Sequence, residues 1–293
     1  MKTAYQSLKK NVNQKGFGVG CHNHIHSLIE AAGSILKECQ RLPVVSKVAG
    51  KSYFIFESAV GLRSRPVNRD LFSENFEDSA MKFREILRNE GHPHSSTEIT
   101  KAVYSVSIAC CAAIDVITKS DRKTQGTIFE WLCAALMQKT LNVAPVRSLD
   151  VLNLDLRGKL PTDFVFDLGS EKPKFHLPVK TSTRERIIQV WAHQRVLDGV
   201  YGVGRFLAMP IILTETKLDL KKLEVIEICL PWQWRLYQIH IANLWNVCYL
   251  DPPSSYLNLN SVFPPVKVAT IGDMLAKGGP IDQLLMTHGL KDS

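Results

Sequence analysis

The chain has 293 residues and carries 36 basic against 28 acidic side chains, a formal charge of +8. That length accommodates a catalytic core with a substantial attached region, and a composition of 45% hydrophobic and 22% charged residues excludes a long disordered or low-complexity chain. The basic surplus favours a polyanionic partner over a site for a small acid-seeking molecule, and the seven cysteines, set mostly inside apolar runs (Cys110, Cys111, Cys133, Cys229), suit reduced thiols in the cytoplasm and argue against a disulfide framework.

The first residues, Met1 to Ser7, are not followed by an apolar stretch of the signal-peptide kind, and no run reaches the ~18 uninterrupted apolar residues of a membrane span. A soluble, unexported protein is therefore expected. Cys21, His22, His24 and His26 place four soft-metal ligands within six residues, a density that suits zinc. No second pair at finger-like spacing accompanies them, so the cluster reads as the polar start of a helix over 25–42 that stops before Pro43. A short strand over 52–60 follows, then a loop carrying Arg63, Arg65 and Arg69 that reads as a solvated basic turn. Helices are predicted over 72–89 and 98–118, the second capped by Ser95 or Ser96. The first 120 residues thus form a mainly helical region, and residues 121–293 form the core.

The core opens with a helix over 127–141. In it Glu130 sits between Phe129 and Trp131, at the margin of the buried stripe, where a carboxylate needs a partner or water. A strand over 149–156 leads to the stretch on which the chemistry turns. Two apolar runs, 161–167 and 175–180, carry Asp163 and Lys180. On paired strands both side chains can emerge at one end of a sheet. Asp167 shares the strand parity of Asp163 and reads as the residue that closes the turn. Beyond Lys180, a helix over 183–198 begins with Arg184, Glu185 and Arg186. Strands over 206–214 and 223–230, a helix over 232–247 and one or two short helices within 271–285 complete an α/β pattern, a mixed sheet flanked by helices.

A carboxylate and a lysine at neighbouring strand ends can hold a divalent metal and a water together. Magnesium on one or two carboxylates lowers the pKa of bound water, and a lysine ammonium orients that water. Arginine bonds both major-groove acceptors of guanine and a carboxylate accepts from the amino group of cytosine, so Arg184, Glu185 and Arg186 are suited to reading G·C pairs. An ordinary charged first turn of a helix remains the alternative.

Asp163, then Val179-Lys180, then Thr181 to Arg186 resemble the PD-(D/E)xK nuclease core, and specifically the type II restriction endonucleases of the CCGG family. Gly126 to Cys133 resembles that family's helix whose glutamate faces the metal. The resemblance covers about residues 125–200. It implies a restriction-endonuclease-like mixed sheet flanked by helices, with Asp163, Lys180 and Glu130 catalytic, and Asp163 and Glu130 on a Mg2+ ion. It further implies double-stranded DNA read by Arg184, Glu185 and Arg186 at CC:GG pairs (CCGG or interrupted CCNGG), a homodimer, and a cognate DNA methyltransferase. Pro178 stands where the superfamily has its second carboxylate, leaving only a backbone carbonyl to reach a metal there. His193 and Gln194 stand where the family relocates that group. Those departures keep open a cleavage-deficient DNA-binding protein, beside a repair or recombination nuclease of the same fold.

Overall fold

The computed structural model describes residues 1–88, 94–119, 121, 123–151, 158–183, 187–262 and 266–291. Two helices open the chain, α1 (Lys2–Lys15) and α2 (Val19–Lys37). They lead to three strands, β1 (Gln40–Ser46), β2 (Tyr53–Glu57) and β3 (Val67–Asn68), and to helices α3 (Phe76–Arg88), α4 (Ser96–Ile117) and α5 (Thr124–Leu141). Next come β4 (Val146–Asp150), β5 (Lys159–Asp167), β6 (Lys174–Leu177) and β7 (Val179–Lys180). Helix α6 (Ile188–Tyr201) follows, then β8 (Phe206–Ala208), β9 (Ile211–Thr214), β10 (Thr216–Asp219) and β11 (Glu224–Glu227). The chain finishes through α7 (Pro231–His240), β12 (Val247–Asp251), α8 (Ser254–Leu257), β13 (Val268–Thr270), α9 (Ile271–Leu275) and α10 (Pro280–Thr287).

The central sheet is mixed. β5 runs antiparallel to β4 and β6, whereas β6 is parallel to β8, β7 to β9, and β12 to both β9 and β13. β6 and β7 are one strand interrupted at Pro178, and β8 and β9 one strand interrupted at Met209 and Pro210. The hydrogen bonds Met209 N to His176 O (2.9 Å), Ile211 N to Pro178 O (2.8 Å) and Cys248 N to Pro210 O (2.9 Å) carry the ladder across both breaks. A second sheet, ordered β10-β11-β1-β2-β3, joins an N-terminal hairpin to the hairpin that follows β9.

α4 lies at the centre of the helical layer. Its start is fixed by a capping box, Ser95 accepting from the Glu98 amide while Glu98 accepts from the Ser95 amide. Buried residues occur all round it, from Ile99 to Val116, the pattern of a core helix. α9 crosses it closely: a Cβ on Gly272 would lie 1.8 Å from the carbonyl oxygen of Ser96, so only glycine fits there. One apolar cluster runs from Leu8 through Ile108, Trp131 and Phe164 to Leu285. The N-terminal helices and the sheet therefore share a core that crosses residue 120.

Several elements differ from the sequence expectation. The helix predicted over 25–42 ends at Lys37, and Leu42 lies in β1. Pro43 is tolerated there because β1 meets β11 only at Val45 and Ser46, leaving the strand open on that side at Pro43. The helix predicted over 232–247 ends at His240, and Val247 begins β12. β12 is buried along its whole length between β9 and β13, so it lacks the alternation that marks a half-buried strand. The zinc-like cluster is dispersed around α2. Cys21 is buried, His24 meets Ser7 and His26 meets Arg84.

The two sheets are clamped by a buried carboxylate. Asp251, at the end of β12, accepts from Lys51 Nζ (2.7 Å), Tyr53 Oη (3.2 Å) and Asn68 Nδ2 (3.0 Å), and Lys51 Nζ also donates to the Pro252 carbonyl at 2.6 Å. Removing one member of such a network strands the others without water. Asp251→Ala is expected to lower the unfolding free energy by about 3 to 5 kcal/mol in urea denaturation. A change within experimental error would show that the clamp contributes no stability.

Candidate active site

β5 and β6 pair in the register Phe164 to Leu177, which places Asp163 across from Pro178. Pro178 presents its backbone to β9, where its carbonyl accepts the Ile211 amide, and the pairing with β5 stops at Leu177. The chain resumes at Val179, whose N–H turns to the side chain of Asp163, 2.8 Å from Oδ2. Lys180 Nζ donates to the same oxygen at 2.7 Å. Asp163 and Lys180, 17 residues apart, thus meet at one end of the sheet. Asp167 instead closes the β5–β6 turn, accepting from the Gly169 amide (3.0 Å) and pairing with Lys174.

Glu130 reaches the same place from α5, which packs against β5 and β7. It is half-buried. Desolvation, reinforced by the negative charge of Asp163, pushes its carboxyl up to about 7, with Lys180 and Arg147 opposing the shift. Arg147 projects from β4, its guanidinium 5.1 Å from the centre of the Phe164 ring. The sequence reading overlooked it because an exposed arginine on a short strand has no distinguishing pattern.

The positions expected to supply a relocated ligand behave differently from one another. His193 is half-buried on α6, and its pKa is lowered by burial, with Asp163 opposing and Lys180 adding to the effect. It therefore borders the site. Gln194 points away: it is buried, and its Nε2 donates to Asp198 Oδ1 (2.8 Å) and to the Phe206 carbonyl (3.0 Å). The carbonyl at Pro178 already accepts the Ile211 amide and serves the ladder. Among the described residues, no group of three His, Cys, Asp or Glu side chains is placed to hold a metal ion. Arg184, Glu185 and Arg186 lie outside the described residues.

Beneath the site, His176 is fully buried on β6, 6.0 Å from the ring of His193, and neither ring nitrogen has a hydrogen-bond partner. Burial, then the positive charge of His193 and Lys180, pulls its pKa down to about 3.

With this geometry in place, the fold can be matched to solved structures. The crystal structure of the Type IIP restriction endonuclease Kpn2I superposes with a TM-score of 0.81 at 25% sequence identity, covering 100% of both chains. The fold is that of a restriction endonuclease. Enzymes of that fold hydrolyse DNA, and the match extends over the N-terminal helices and the core alike. The restriction endonuclease PspGI in its complex with substrate DNA aligns with a TM-score of 0.44 and 14% identity over 73% of this chain and 92% of that one, too distant a likeness to support any assignment. The chain matches no protein-family model and no curated protein. Within the restriction-endonuclease fold, Asp163, Lys180 and Glu130 occupy the end of the central sheet where three elements converge.

The buried histidine has a consequence for acid stability. Its folded pKa lies below the unfolded value of about 6.5, so the unfolded chain binds the extra proton first and stability falls as pH drops from about 6.5 toward 3. Replacing His176 with leucine is expected to reduce the loss of stability by up to about 1.4 kcal/mol per pH unit in denaturant melts between pH 6 and 4. Identical pH slopes for both proteins would contradict the assignment.

Proposed function

We propose that the chain is a magnesium-dependent type II restriction endonuclease that cleaves duplex DNA at a site containing CC:GG pairs, of the CCGG or interrupted CCNGG type. The observation that carries this reading is the contact of Asp163 with Lys180, joined by the raised carboxyl of Glu130, at the sheet end of a restriction-endonuclease fold.

The residues fit magnesium. Asp163 and Glu130 are two oxygen donors whose charges oppose one another, a repulsion that a divalent cation removes. Magnesium commonly takes one or two carboxylates and completes its shell with water and substrate phosphate, so two protein carboxylates suffice. When bound, the ion supplies a water of lowered pKa and offsets charge that builds on the phosphate.

The chain's own groups do the rest. The Lys180 ammonium, fixed by Asp163, orients the attacking water and steadies charge on the scissile phosphate. The Val179 amide fixes the rotamer of Asp163. Arg147, exposed on β4 beside Glu130, is suited to a flanking phosphate. Arg184, Glu185 and Arg186 follow Lys180 by four to six residues, and their chemistry suits the edges of G·C pairs. Phosphate contacts from the basic surplus position the duplex, and residues 1–120 support those contacts or the dimer. A palindromic site matches a two-fold homodimer. The enzyme acts in the cytoplasm beside a DNA methyltransferase that protects the same sequence in host DNA.

Incubation of the protein with supercoiled plasmid and Mg2+ is expected to yield discrete fragments, and chelation to stop the reaction. Lys180→Ala should slow cleavage by about 100-fold or more while leaving DNA binding in place. Undiminished cleavage by that variant would remove Lys180 from the mechanism, and a smear in place of bands would replace site-specific cleavage with a general nuclease.

A further inference from the structure

Just past the end of β9, one carboxylate is buried in a place the catalytic centre does not use. Glu215 is fully buried. Its carboxylate accepts from the Thr183 amide through both oxygens (3.0 and 3.1 Å), from the Thr183 hydroxyl, and from Tyr249 Oη at 3.2 Å. Its own carbonyl accepts the Ile228 amide at 2.8 Å. Taking a carboxylate out of water is costly unless donors surround it, so a site built this way holds its donors firmly.

What it holds is the chain leaving the catalytic lysine. Lys180, Ile212 and Tyr249 form one row across β7, β9 and β12. The Thr214 amide donates to the Thr181 carbonyl at 3.3 Å as the chain departs that row, and Glu215 fixes Thr183 two residues later. On the far side of residues 184–186, Ile187 is buried in an apolar cluster with Trp191, Trp234 and Tyr249. Both flanks of the three-residue segment are therefore tied down, and Tyr249 belongs to both ties.

We propose that Glu215 is a positioning residue for sequence recognition: its buried carboxylate fixes Thr183, and so sets where the chain passes from Lys180 to Arg184, Glu185 and Arg186. The proposal rests on the reading of that segment as the base-reading element. A residue of this kind acts on the discrimination between DNA sequences, because a displaced arginine or glutamate loses its bond to a base edge while contacts to phosphate persist. Glutamine at 215 keeps the shape but presents an amide N–H2 to a ring of donors. Valine at 183 keeps the shape and removes the hydroxyl, whereas serine retains it.

The test uses the full-length protein. Fragment ends from a wild-type digest define the cut site, and two duplexes, one with that site and one without, are then titrated with wild type, Glu215→Gln, Thr183→Val and Thr183→Ser in the absence of Mg2+. Thermal unfolding of each variant is recorded alongside. The expected result is at least a tenfold rise in Kd for the site duplex in Glu215→Gln and Thr183→Val, with Kd for the other duplex changed by less than about twofold and near-wild-type behaviour in Thr183→Ser. Equal weakening on both duplexes, or no weakening on either, overturns the proposal. Should Glu215→Gln fail to fold, Thr183→Val decides alone. A wild-type digest without discrete ends defeats the site-specific reading itself and the anchor with it, whereas discrete wild-type cutting with unaltered variants defeats only the anchor.

Discussion

The site depends on where one strand leaves its partner. The pairing of β6 with β5 stops at Leu177, Pro178 turns its carbonyl to the Ile211 amide, and the strand that carries Lys180 changes partners at that point, from β5 and β8 before the proline to β9 after it. The Val179 amide, released from the ladder, binds the carboxylate of Asp163, and Lys180 binds the same oxygen. The end of the pairing beside Pro178 thus leaves free the amide that holds Asp163. Three groups are fixed by one kink, and α5 brings Glu130 against them.

The proposed magnesium site follows from the few oxygen ligands at that sheet end. A second strand carboxylate is absent, Gln194 faces β8, and the Pro178 carbonyl is taken. Glu130 is the carboxylate near Asp163, and its carboxyl is raised first by burial and then by repulsion from the charge of Asp163. Neutralising that repulsion is work suited to a divalent cation, and Lys180 already offsets part of it. His193 borders the centre with its charged form disfavoured by burial, the state in which imidazole accepts rather than repels a cation.

Local signals made much of this legible in the sequence. The Asp163 and Lys180 pair stood out because both sit in short apolar runs joined by a turn, whereas the register that sets Phe164 against Leu177 is fixed only by the folded sheet. Glu130 was visible as a carboxylate amid bulky apolar neighbours. The start of α4 was legible in Ser95 and Ser96 as candidate caps, and Ser95 takes that place. Long-range pairing was opaque: β1 finds β11 across some 180 residues of chain, and β12, buried along its whole length, shows no alternation that sequence reading can use. Glu215 was silent for a related reason. A glutamate after a buried strand looks like a surface residue until the fold brings Thr183 and Tyr249 to it. Arg147 becomes significant only because β4 lies beside the Phe164 ring and Glu130.

The central claim is that one kinked strand end cuts DNA where a neighbouring segment has read C:G pairs. Its most direct measurement is sequencing of the DNA ends produced when the purified protein digests bacterial genomic DNA of balanced base composition with Mg2+. The account requires that the ends share one short palindrome containing CC opposite GG, with cleavage at a fixed position within it. Ends scattered over unrelated sequences, or a shared motif without those pairs, would contradict it.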